Sequence, residues 1–176
     1  ISIPRNHEYY ILHKPKGYIS TSNDEFGRKN ITDLIKTKQR IYSIGRLDKD
    51  TTGIIILTND GDIANKILHP RYGIERKYYA YTKEKLSPND ILKIKKGIFL
   101  TKREKVQADI KHIEYVKGKH KWRVILNEGK NREIRRIMEY FETPVIELKR
   151  ISYGPYVLDD LKPSEFHKSN LNYIDY

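Results

Sequence analysis

An α+β fold on a mixed, largely antiparallel sheet is predicted by three features of this chain. Stretches that read as strands outnumber those that read as helices. Several neighbouring strands are separated by brief turns rich in Gly, Pro and Lys, the spacing of hairpins rather than of long crossovers. One apolar run, Ile54-Ile55-Ile56-Leu57, is too short for a helix and suits a strand covered on both faces. A length of 176 residues allows one domain, or two small subdomains sharing a core.

Taken in order, Tyr9 to Leu12 reads as a strand, and His13-Lys14-Pro15-Lys16-Gly17 breaks it. Tyr18 to Thr21 reads as a short second strand, residues 22–30 as a polar loop, and Ile31 to Lys36 as a short helix. The buried strand Ile54 to Leu57 follows. Asn59 or Asp60 then caps a helix through Leu68, with Ile63, Ala64, Ile67 and Leu68 inward, and His69-Pro70 ends it. Lys77 to Thr82 reads as a strand. Ser87-Pro88-Asn89-Asp90 is a helix start with a Ser cap, Pro in the first turn and an acid at the third position, and Gly97 closes that helix. Val106 to Val116 and Lys121 to Leu126 read as strands joined by Lys117-Gly118-Lys119. Asn131 to Phe141 is the clearest helix, with Ile134, Ile137, Met138 and Phe141 at i, i+3, i+4 and i+7. Val145 to Leu148 is a strand, Gly154-Pro155 a turn, and the tail is mildly acidic.

The charge balance points to a polyanionic partner. Thirty-five Lys and Arg stand against 23 Asp and Glu, a formal net charge of +12 with a pI near 9.6. A Lys-rich solvated surface is the plain alternative. The absence of cysteine excludes disulfides, thiol catalysis and cysteine-ligated zinc. No apolar run approaches the roughly 20 residues of a membrane helix, and no signal-peptide pattern opens the chain. The first residue is Ile1 and the only methionine is Met138, so an upstream segment is expected to have been removed or left out.

Two stretches carry candidate chemistry. In GRLDKDTTGIIILTNDGD, four aspartates flank the apolar run: Asp48, Asp50, Asp60 and Asp62. A magnesium site for a nuclease would need them together, but a buried strand of roughly a dozen ångströms separates the pairs. Asp60 and Asp62 also sit where a helix start favours acids. Asp48 precedes the strand and so lies at a sheet end, with Arg46, Lys49 and Arg135 as cationic neighbours. A nearby cation can lower a carboxylate pKa by ~1–3 units, leaving Asp48 ionised and able to act as nucleophile or base. Capping of the Thr51-Thr52-Gly53 turn is the structural alternative. In NEGKNREIRRIMEYF, Arg132 and Arg136 fall opposite the apolar stripe and face solvent or a phosphate backbone. Arg135 lies about 100° from Ile134, at the border of the stripe. From there it can hold a carboxylate through paired hydrogen bonds.

HKPKG, GRLDKDTTGIIILTNDGD and NEGKNREIRRIMEYFETPVIELKRISYGPY, in this order and spacing, resemble the ribosomal RNA pseudouridine synthases of the RsuA-like group, from about Tyr9 to Tyr156. The resemblance implies a mixed sheet of two joined halves flanked by helices, with a central basic cleft. It implies a reaction that breaks the bond between base nitrogen and sugar, turns the base and rejoins it through carbon, with no cofactor and no metal. By resemblance Asp48 is the catalytic aspartate, as nucleophile or as proton acceptor, and Arg135 pairs with it. Arg46 fills the gap left by the flipped uridine, Tyr78 stacks on the flipped base, and Ile134 lines the base pocket. Lys14 and Gly17 fall in a motif with a mainly structural role. Lys130, Arg132 and Arg136 are the expected RNA contacts, although Lys130 and Glu133 stand where Arg and Gln are commoner. Glu133 adds an anion that would soften phosphate contact.

The expected organisation is a linker over 1–8, a catalytic domain over 9–160 and a tail over 161–176. The resemblance implies a small N-terminal RNA-binding domain ahead of Ile1, which is expected to have been removed or left out. Without it, positioning would rest on Lys93, Lys95, Lys96, Lys102, Lys117, Lys119 and Lys121. The expected partner is ribosomal RNA, at a uridine in a stem-loop or junction, bound by a cytoplasmic monomer with no membrane association. A basic RNA-binding module for ribosome assembly, without chemistry, is the competing reading.

Overall fold

The computed structural model describes residues 6–21 and 24–170. Most of the linker expected over 1–8, the start of the polar loop at residues 22–23 and the end of the tail at 171–176 lie outside the described residues. The elements run β1 (Tyr9–Lys14), β2 (Tyr42–Ile44), β3 (Thr52–Thr58), α1 (Gly61–Leu68), β4 (Arg76–Thr82), α2 (Pro88–Lys96), β5 (Ile98–Thr101), β6 (Glu104–Val106), β7 (Asp109–Val116), β8 (Lys119–Leu126), α3 (Glu133–Tyr140), β9 (Val145–Tyr153), β10 (Tyr156–Val157) and β11 (Phe166–Lys168). Strands outnumber helices, and the two together make an α+β fold. The chain forms two compact units, one of Ile1–Tyr72 with Val157–Tyr176 and one of Gly73–Tyr156.

In the first unit β1 lies between β11 and β3, antiparallel to both, and β2 pairs antiparallel with β3. Register sets Tyr10 opposite Leu57 and Leu12 opposite Ile55. Ile54, Ile55, Ile56 and Leu57 have almost no exposed surface, so β3 is covered on both faces. Burying each of these side chains contributes about 1.5–3 kcal/mol, which makes β3 a rigid support for the turn that precedes it. Asp60 caps α1, accepting from the Ile63 amide at 3.2 Å. Burial opposes ionisation of Asp60, but the Tyr9 hydroxyl, the Ile63 amide and His7 hold its carboxyl below its usual range.

In the second unit β4 lies between β9 and β8, and β7 follows β8, every pairing antiparallel. Lys117 and Gly118 both have positive φ, +50° and +76°, so the β7–β8 hairpin closes through a two-residue turn of the type that matches strand twist. Ser87 and Asp90 form a capping box at α2, and Gly97 ends it. The sheet packs its inner face around Ala80, Trp122 and Val124, with Ile94 of α2 and Ile137 and Met138 of α3 also buried. The Trp122 indole N–H donates to Thr82 Oγ1 at 2.8 Å, which satisfies its one buried donor.

Several sequence expectations change. Tyr18 to Thr21 is not a strand; only an isolated bridge joins Ile19 to Asn30, because this segment follows a turn and finds no continuous partner. The helix expected over Ile31 to Lys36 is a single 3-10 turn, Ile31–Leu34. Leu68 is exposed rather than inward. The strand expected over Val106 to Val116 is two, β6 and β7, and β9 runs on to Tyr153. The tail supplies β11, which pairs with β1 as an edge strand.

Candidate active site

The first unit carries the aspartate turn. The Thr51 amide donates to the Asp48 carbonyl at 3.0 Å and closes the turn just ahead of β3. Two braces fix it. The Ser20 hydroxyl donates to the Leu47 carbonyl at 2.7 Å and accepts from the Leu47 amide at 3.0 Å. Lys14 has no exposed surface, and its ammonium donates to the carbonyls of Thr51, Pro15 and Lys49 at 2.7, 3.1 and 3.3 Å. Burial pushes the Lys14 ammonium down to about 8, against the pull of Asp50 and Asp48. The structural role implied for HKPKG thus has a definite form. Its lysine staples the Asp48 turn from beneath, and Gly17, at φ +91°, donates its amide to the Lys49 carbonyl at 2.8 Å. Asp48 itself is half-buried.

Arg46 is exposed, and its guanidinium makes no ion pair among the described residues. It borders a groove of about 400 Å³ lined also by Ser20, Thr21, Tyr42, Ser43 and Leu68. A cation held at the mouth of a hydroxyl-lined groove is free to follow a phosphate or enter a gap between bases.

The second unit carries the tyrosine, the arginine helix and the remaining cations. Tyr78 lies on β4, opposite Val124 of β8 and Arg150 of β9, on the buried face. Ile134 and Arg135 are both buried in the first turn of α3. A buried guanidinium differs from the stripe-border arginine of the sequence reading. It has left water, and it repays that cost only by meeting a compensating acceptor.

The expected RNA contacts divide. Arg132 is exposed, at φ +49°, and opens α3 with no side-chain cap. Arg136 was expected at a phosphate, but its fork is taken by Glu104, with bonds of 2.6 and 2.7 Å, while its Nε donates to the Asn131 carbonyl at 2.9 Å. It ties α3 to β6 instead. Lys130 likewise donates to the Lys105 carbonyl at 2.6 Å and pairs with Glu128 at 3.0 Å. Glu133 is not the surface anion expected. It is buried, and one carboxylate oxygen accepts from the Lys130 amide at 3.1 Å. Burial pushes its carboxyl up to about 7, outweighing that bond.

Sequence reasoning missed two buried arginines. The Arg76 and Arg150 guanidinium carbons lie 4.9 and 4.8 Å from the Tyr153 ring centroid, and Arg76 also donates to the Tyr153 hydroxyl at 3.2 Å. Arg76 is two residues before Tyr78 and shares its strand face, which is the one signal that could have found it. Gly129, in the NEGK loop, lies so close that a side chain there would press on Arg76 at 3.3 Å.

Comparison with known proteins is consistent with these motifs. A family profile described as RNA pseudouridylate synthase matches residues 8–140. "Ribosomal large subunit pseudouridine synthase B" of Bacillus subtilis is 43% identical over 150 residues, covering 83% of this chain and 61% of that protein. The protein of the same name in Vibrio cholerae is 33% identical over 171 residues, covering 92% of this chain and 52% of its own length. This chain therefore spans between half and two thirds of these relatives. A crystal structure of a pseudouridylate synthase superposes with a TM-score of 0.84 at 25% identity, over 94% of this chain and 71% of that one. The chain belongs to the RNA pseudouridylate synthase family.

Proposed function

We propose that this chain isomerises uridine to pseudouridine in ribosomal RNA, with Asp48 as the essential carboxylate. The observation that carries the reading is the turn that presents Asp48. It is half-buried, stapled by Lys14 and Ser20, and backed by a strand with no exposed side chains. A surface-capping aspartate has no need of a buried ammonium beneath it. Catalysis by a carboxylate does, because a preorganised charge costs no reorganisation when charge develops at the sugar. In this reading the bond from C1′ to N1 of the uracil breaks, the base turns, C1′ bonds to C5, C5 loses its proton and N1 gains one. Arg135 pairs with Asp48, Tyr78 stacks on the extruded base and Ile134 lines its pocket. Arg46 and Arg132 meet the RNA. Lys130 and Arg136 act through their own partners, shaping the loop and helix that carry Arg132.

Extrusion of the base costs a few kcal/mol of lost stacking, which an inserted cation and an aromatic platform offset. Ribosomal RNA as the substrate is supported by the names of the relatives. A uridine in a stem-loop or junction, a monomer and a cytoplasmic location belong to the same proposal. Among the described residues no helix is long and apolar enough to cross a membrane. Asp48→Asn tests it directly. The variant should bind a ribosomal RNA stem-loop within about twofold of wild type and form no pseudouridine on chemical mapping. Isomerised uridine made by that variant would remove Asp48 from the chemistry. Its absence from wild-type reactions on all ribosomal RNA fragments would leave only an RNA-binding module.

A further inference from the structure

We propose that the outer face of the second unit's sheet, centred on Tyr79 and Tyr81, is a separate binding surface for single-stranded RNA. On β4 the buried residues are Arg76, Tyr78, Ala80 and Thr82, and the half-exposed ones are Lys77, Tyr79 and Tyr81. Side chains alternate across a strand, so Tyr79 and Tyr81 point away from the face that holds Tyr78 and cannot share its role. They stand on a central strand, with β8 on one side and β9 on the other. Two residues of extended chain separate them by about 6.8 Å, enough for one base on each ring.

The cross-strand register flanks Tyr79 with cations, while Tyr81 has Lys121 on one side and Glu147 on the other. One row reads Lys149, Tyr79, Arg123, Lys111 across β9, β4, β8 and β7. Lys121, opposite Tyr81, places its ammonium 4.3 Å from the Tyr79 ring centroid. Lys111 and Lys149 make no ion pair among the described residues, and the Arg123 Nε is shielded without an acceptor. Acids are present too. Glu147, Glu114 and Asp109 approach Lys119, Lys121 and Arg123 at 3.9, 3.4 and 4.0 Å. Such long, partly exposed pairs are weak in water, so a phosphate can replace them at little cost. Acidic protein would satisfy the cations but leave the tyrosine faces idle. Alternating rings and cations on an open antiparallel sheet match the stacking and phosphate chemistry of single-stranded RNA. The surface requires no chemistry at Asp48 and stands whether or not the chain isomerises uridine.

The test uses a 20-nucleotide oligouridylate and the chain as it is. Lys111→Gln with Lys149→Gln should weaken binding about tenfold at 0.1 M salt. It should also flatten the log–log salt dependence by about 1.4, since each lost phosphate contact on a single strand removes about 0.7. Independently of any variant's folding, 5-iodouridine in the same oligonucleotide should photo-crosslink wild-type protein at Tyr79 or Tyr81. Wild-type affinity and slope in the double variant would overturn the proposal. So would crosslinks confined to other residues, or displacement of the RNA by polyglutamate at equal charge.

Discussion

A lysine without exposed surface is costly, and at Lys14 hydrogen bonds to three carbonyls around the Asp48 turn offset that cost. Lys14→Met keeps the volume and removes the donors. We expect it to destabilise the fold by about 1–3 kcal/mol, the cost of buried acceptors left unsatisfied less the desolvation relieved. Isomerase activity should fall further than stability, because the turn itself loosens. The pH dependence has a definite sign. Burial lowers the folded pKa from 10.5 to about 8, so between these values the unfolded chain binds more protons and wild-type stability rises with pH. The deficit of Lys14→Met in urea unfolding should therefore be larger at pH 10 than at pH 7, and an equal deficit would show that Lys14 is not desolvated. Glu133 has the opposite sign. Its carboxyl is raised from 4.5 to about 7, so the folded chain binds more protons between those values and wild type loses stability as pH rises through them. Glu133→Gln keeps the acceptor for the Lys130 amide and removes the charge. At pH 8 it should be more stable than wild type by about 1–2 kcal/mol, discounted for residual solvation. At pH 4 the two should melt together.

At the scale of elements, local chemistry written in consecutive residues was the legible part. The Ser87 capping box, the Asp60 cap, the Lys117-Gly118 turn and the apolar stripe of α3 all form as their residues imply. Strands whose only support is a distant partner were not legible. Tyr42-Ser43-Ile44 has no alternation long enough to read, and it exists because β3 pairs with it. Charged residues misled in a similar way, since a sequence does not show which cation already has a partner inside the fold. Arg136 looked like a phosphate contact and is instead the clamp between α3 and β6. That yields a test. Glu104→Ala releases the Arg136 guanidinium, so the salt dependence of RNA binding should steepen by about one, the increment expected for one added phosphate contact. If the slope is unchanged, the released arginine does not face the RNA.

At the scale of the whole molecule, Asp48, the carboxylate proposed for the chemistry, belongs to a unit assembled from both ends of the chain, with residues 73–156 inserted between them. This was invisible in the sequence, because Phe166-His167-Lys168 is exposed throughout and carries no strand pattern. It forms a strand only because β1 offers an edge. The Ser164 amide donates to the His13 carbonyl, the His13 amide to Glu165 and the Ser169 amide to Tyr9, each at 2.9 Å, while Phe166 meets Tyr10 edge to face at 5.8 Å between centroids. Removing residues 162–176 would strip these bonds and leave β1, buried along its whole length, as an open edge beside the strand that supports Asp48. Backbone bonds worth about 1 kcal/mol each, with the lost ring contact, give an expected loss of about 3 kcal/mol. An unprotected apolar edge also pairs with other chains, so light scattering of the truncated protein should rise with concentration. Activity should decline with it even though no residue assigned to the chemistry has been removed. A truncated chain with the unfolding midpoint and monodispersity of the parent would mean that β11 covers β1 without stabilising it, and that β3 alone suffices to hold the aspartate turn.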